Sequence, residues 1–225
     1  TPTGLMNLLQ MTVLSYYFGN NGRTPYVHYM LLLGIPAFLG QLIAAGAAPK
    51  LADKHGAATT FAQANVFAGL ALLAAFALFL CRPQQLTQAL PFTLLILLLF
   101  CNMFCCGLVN TVQSILIADA ADLTEKESGI RRDGIFVSGQ SLLIKLSTGV
   151  SALLQGLVFA INGFSGTAVR QINRALYAGA DFATDPSFAT PRFAMFFLFL
   201  CLPGIAYLLS ALPYRKGRNP HKAPV

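Results

Sequence analysis

Six long apolar runs dominate this 225-residue chain and leave it few ways to fold. They cover about residues 4–19, 26–48, 59–80, 90–118, 134–162 and 191–212. The hydrocarbon core of a bilayer is about 30 Å thick, which about 20 apolar residues in a helix can cross. Inside it every backbone N–H and C=O needs an internal partner, so runs of this kind read as transmembrane helices. Composition supports the same conclusion. Charged residues are 10% of the chain and hydrophobic ones 56%, where a soluble domain carries about 25% charged residues. The expectation is an all-α membrane protein, one bundle of six transmembrane helices with a basic tail at 213–225. The first run is short for a span, and the fourth and fifth are long enough to tilt or to project beyond the hydrocarbon.

The formal net charge of +7 does not point to nucleic acid. The basic residues are spread over short loops and the tail, without a stripe interleaved with aromatics. With the N-terminus in the cytoplasm, Lys50, Lys54, Lys126, Arg131, Arg132, Arg215, Lys216, Arg218 and Lys222 lie inside. Arg23, Arg82, Arg170, Arg174 and Arg192 then lie outside. The bias follows the positive-inside pattern and predicts a cytoplasmic C-terminus, in the plasma (inner) membrane. The loop at 163–190 falls outside and reads as a connector able to form a short surface helix over Ala168 to Ala178. The chain begins Thr1-Pro2-Thr3 with no visible signal peptide, which reads as a cut.

Enzyme chemistry finds no support. There is no Gly-x-Ser-x-Gly elbow and no P-loop, and His28, His55 and His221 lack metal-ligand spacing. Cys101, Cys105, Cys106 and Cys201 sit within apolar runs and Cys81 at the end of one, as small polarisable packing residues do. No metal or organic cofactor is expected.

Lys145 is the most informative position. It lies near the middle of the fifth run between Ile144 and Leu146. A charge at that depth costs about 2.5–3.5 kcal/mol on insertion scales, so it normally faces a bundle interior or a wet cavity. Ser138, Ser141, Lys145, Thr148, Ala152 and Gln155 recur at steps of 3 and 4 and share one helix face. Leu143, Leu146, Val150, Leu153 and Leu157 fill another, suited to lipid. Small residues and hydroxyls at this spacing also serve helix packing, but packing does not require an ammonium group.

The fourth run carries a second seam, Asn102, Cys106, Asn110 and Gln113. Amides donate and accept at once, so they suit hydroxyl-rich ligands and equally suit bonds between helices. In the first run Asn7, Gln10, Leu14 and Tyr17 align, and Tyr16 and Tyr17 lie near its outer end, as interface anchors or ligand contacts. Two charged stretches mark the inner side. Asp53, within Pro49 to Gly56, can cap or pair with a neighbouring helix end. Asp119, Asp122, Glu125, Arg131 and Asp133 alternate with bases between Ala118 and Gly134. Such charges can hold one conformation closed and release it in another, or form a solvated loop.

In that stretch the sequence resembles the glycoside–pentoside–hexuronide:cation symporters, the melibiose-permease-like branch of the major facilitator superfamily. The resemblance rests on Ala118-Asp119, Asp122, Glu125, Gly129, Arg131, Asp133 in place of the family's Glu, Gly134, Ser138, Gln140, Ser141 and Lys145, in order and spacing. Leu123 and Lys126 replace the family's Tyr and Trp, and Asn110 stands where that branch has a sugar-contacting aromatic. The resemblance implies the C-terminal half of a twelve-helix transporter, built from two inverted three-helix repeats. It implies that Gln140, Ser141 and Lys145 face a central cavity, with Asn110, Gln113 and Tyr17 as further candidates. Asp53, Asp119, Asp122, Glu125, Arg131 and Asp133 become a cytoplasmic gate. A coupling Na+ or H+ would be held by carboxylates of an N-terminal six-helix half. The implied solute is a sugar or glycoside. Two alternatives stay open: another solute such as a lysophospholipid, and a truncated module that does not transport.

Overall fold

The computed structural model describes residues 2–22, 25–129, 133–161 and 166–214, and every regular element among them is helical. Helix α1 (Pro2–Val13) passes into a π-helical turn, Leu14–Phe18. Helices α2 (Val27–His55), α3 (Ala57–Cys81), α4 (Ala89–Ser128) and α5 (Asp133–Ile161) follow. A short α6 (Gly166–Tyr177) precedes a final rod, made of α7 (Ala189–Phe196), a second π-helical turn Phe197–Cys201 and α8 (Leu202–Ala211).

Five of these segments are long and apolar enough to cross a membrane: Val27–His55, Ala57–Cys81, Ala89–Ser128, Gly134–Ile161 and Pro186–Tyr214. Residues 2–18 are helical as expected but shorter. The chain is an all-α integral membrane protein.

The two charged stretches are largely helical where described. The one at Pro49 to Gly56 continues α2 to His55, and a single residue, Gly56 with φ +87°, turns the chain into α3. Lys50 to Lys54 are mostly good helix formers, and only Gly56 supplies the positive φ. The charged stretch after Ala118 likewise extends α4, which ends at Gly129 (φ +70°), whose N–H bonds Glu125 O at 2.8 Å. Ala, Leu, Glu and Lys dominate it and no Gly or Pro interrupts it. At 40 residues, α4 is about 60 Å long, twice the hydrocarbon thickness, and its last turns stand clear of the membrane.

Close backbone approach holds α2 to α4 and α3 to α8. A Cβ on Gly107 would lie 2.7 Å from Ala44 Cβ and 2.8 Å from Gln41 O, and one on Gly69 would lie 2.8 Å from Gly204 O. Little hydrophobic force acts between helices in lipid, so small residues that let backbones meet supply the packing. Ala44, Ala48 and Ala52 of α2 bury themselves against Leu108, Val109 and Val112 of α4. The larger core, at the level of Tyr17, Phe79, Phe92 and Phe196, is aromatic. Helix α5 stands apart, with only 6% of its spanning window buried, against 50% for α4.

Candidate functional site

Helix α5 has three faces rather than the two read from its spacing. Ser151 is buried and Gln140, Ser147, Gln155 and Val158 are half-buried, and these positions form the strip that packs on the bundle. Leu143, Leu146, Val150, Leu153 and Leu157 are exposed on a second side. Ser138, Ser141, Lys145, Thr148 and Ala152 are exposed on the third. At about 100° per residue, Lys145 lies roughly 120° round from the packing strip and a similar angle from the leucines. The ammonium group therefore points neither into this bundle nor along the leucine face. Gln140 belongs with the packing strip, while Ser141 lies beside Lys145.

The seam on α4 divides by depth. Asn102 is fully buried, and its Nδ2 donates to Ala68 O of α3 at 3.2 Å. Its Oδ1 has no hydrogen-bond partner. Cys106 is buried with its Sγ 2.6 Å from the Tyr207 hydroxyl of α8. Both are thus committed to joining helices. Further along, Asn110 is exposed and Gln113 half-buried, so these two keep free amide surface.

Tyr17 is put to another use. It is 2% exposed, its hydroxyl donates to Pro83 O at 2.8 Å and accepts from Leu86 N–H at 3.4 Å, and its ring meets Phe18 and Phe196 edge-on. It anchors the α3–α4 connection, which separates it from the solute-facing candidates. An apolar cavity of about 40 Å³ is walled by both π-helical turns through Leu14, Phe18 and Phe199, with Gln10 as its polar side chain.

Among the charges expected at the gate, Asp53 is exposed at the end of α2. Asp119 and Glu125 are half-buried and Asp122 exposed on the part of α4 that overhangs the membrane. Asp133 begins α5. Arg131 and the side chain of Asp133 lie outside the described residues.

The segment expected as a connector with a short surface helix contains α6 and forms a cap on the C-terminal end of α1. On α6, Ile172 and Leu176 are buried, one turn apart. Asn20 and Asn21 adopt left-handed φ values of +44° and +54°, which Asn tolerates. Asn20 Oδ1 accepts from Phe182 N–H at 2.9 Å, and Asn173 Oδ1 accepts from Asn21 Nδ2 at 2.9 Å and from the Tyr16 hydroxyl at 3.2 Å. Phe182 is fully buried between Tyr16 and Phe188. Arg192, 3% exposed, donates through Nη1 to Phe182 O and Ala183 O. Sequence reasoning missed this latch. The signal was the pair Ile172 and Leu176 set among Arg170 and Arg174. Asp185 is held below the usual carboxylate range by the backbone N–H and the hydroxyl of Ser187, at 2.9 and 2.7 Å.

A family model described as MFS/sugar transport protein matches residues 2–216. An uncharacterized 29.9 kDa protein in the crtE 3' region of Pseudescherichia vulneris is 26% identical over 167 residues, 74% of this chain and 56% of that protein. The chain thus spans little more than half the length of the curated relative it matches. No solved structure matches it significantly.

Proposed function

Because the chain belongs to the MFS/sugar transport protein family, we propose that it forms one wall of a secondary transporter that carries a sugar or glycoside by alternating access. The carrying observation is Lys145, exposed on a polar face of α5 that neither this bundle nor the leucine stripe occupies. A bare ammonium in hydrocarbon is costly, so that face requires a wet crevice or a second bundle. The spanning window of α5 is 6% buried, which fits a helix that another six-helix half would cover.

In this reading the partner half supplies carboxylates for a coupling Na+ or H+, and Lys145 is their counter-charge. Neutralising those carboxylates by the ion loosens their hold on Lys145 and lets the two halves rock about the site. Ser141, Asn110 and Gln113 offer hydroxyl and amide bonds to a polyol, with Gln140 supporting α5 beside them. Asp53, Asp119, Asp122 and Glu125, with Arg131 and Asp133, act as charges at the cytoplasmic side that part when the site opens inward. The tail lies in the cytoplasm and the membrane is the plasma (inner) membrane. A lysophospholipid is the alternative solute.

The test is uptake of labelled glycoside by proteoliposomes. A chain paired with a six-helix N-terminal half is expected to accumulate it under an ion gradient, and the chain alone is not. Uptake by the chain alone overturns the half-transporter reading. Accumulation of lysophospholipid but not glycoside decides for the second solute.

A further inference from the structure

An open groove of about 710 Å³ runs down the flank formed by α2, α3 and α4, lined by apolar side chains such as Ile43, Phe67, Leu70 and Phe104 and ending at His55 and Gln63. Phe67 and Leu70 are 63% and 51% exposed. The flank lies away from Lys145, because α5 packs on α1, α4 and α7 while α3 packs on α2, α4 and α8.

We propose that this groove holds an acyl chain of an anionic phospholipid, with its phosphate at the end of α2. The charges at that end decide the headgroup. Around α2, at about 100° per residue, Lys50 and Lys54 fall within or beside the arc from Ile43 to His55 that lines the groove, and Asp53 points from the opposite side. Helix α3 starts at the same mouth with no acidic residue in its first turn, so its positive end faces the headgroup. Asp119 on α4 is the opposing charge, about one turn beyond Ile115, which packs against the same buried cluster as Leu51 and Phe61. Cations outnumber it. The site is separate from the solute path, since its occupant lies on the membrane flank.

The chain has no tryptophan, so a single one reports locally. Phe67→Trp places it in the groove, and Leu153→Trp, at a position 75% exposed on the leucine face of α5, reports bulk lipid. Each variant is reconstituted in phosphatidylcholine vesicles carrying a minor fraction of lipid with brominated acyl chains. The expected result is about fivefold relative enrichment of brominated phosphatidylglycerol over brominated phosphatidylcholine at position 67, the contribution of about one surface cation. Lys54→Glu is expected to remove it, and position 153 to show none. Equal quenching by the two lipids at position 67 overturns the proposal. So does the same enrichment at 153, a preference unchanged by Lys54→Glu, or stronger enrichment of brominated phosphatidylethanolamine. Glycoside uptake is not involved, so the result stands apart from the transport reading.

Discussion

Arg192 illustrates how much one side chain can organise. Its guanidinium is buried and holds the carbonyls of Phe182 and Ala183. Arg192→Ala leaves those acceptors unpaired, at a cost on the order of 2–3 kcal/mol. A lower melting temperature in detergent, with faster amide exchange over residues 178–188, is the expected outcome. Asp185 nearby contributes a pH dependence whose sign follows from its lowered pKa. Its contribution is present above the unfolded-state pKa and lost as pH falls through the depressed folded value. The amide resonance of Ser187 is expected to shift only in acid, below the ordinary carboxylate range, and Asp185→Asn to abolish that shift. Lys145 is the contrasting case. It supports no packing, so Lys145→Met is expected to leave the unfolding free energy of this chain within about 0.5 kcal/mol of wild type. Accumulation by the assembled transporter is expected to be lost. Unimpaired accumulation would remove Lys145 from the mechanism.

At the scale of elements, backbone proximity rather than side-chain bulk sets the crossings. Gly107→Leu would drive a side chain into Ala44 and Gln41 of α2, an overpacking worth about 1–3 kcal/mol or more. Gly156→Leu on α5 meets nothing within 4 Å and is expected to be tolerated. Comparing the two by thermal unfolding in detergent separates crossing geometry from a general intolerance of glycine replacement. Helix lengths were only partly legible. Hydropathy locates the buried part of α2 and α4, but Lys50 to His55 and Asp119 to Ser128 are helical by local propensity while being polar. A search for apolar runs therefore ends both helices too early. The cap's helix was legible over Ala168 to Ala178, but its contacts were not, because they join Asn20 and Asn21 to Asn173 and Phe182, about 150 to 160 residues apart.

For the whole molecule, the central inequality is between a tightly packed set of helices and a nearly bare α5. A polar strip around Lys145, a packed strip around Ser151 and a leucine strip are three environments on one rod, and this chain provides only the second. Membrane residence, helical class and the family resemblance through Asp119 to Lys145 were all determined by the sequence alone. They depend on local properties: runs long enough to cross hydrocarbon, and a motif read in order. Tertiary structure alone decided which polar residues are spent on packing. Tyr17, Asn102 and Cys106 look like Asn110 and Lys145 in a linear pattern, yet the first three are consumed by Pro83, Ala68 and Tyr207. A hydrogen-bonding group carries no mark of its partner in its own neighbourhood of the chain, so only the arrangement of helices separates a structural amide from one left free for a solute.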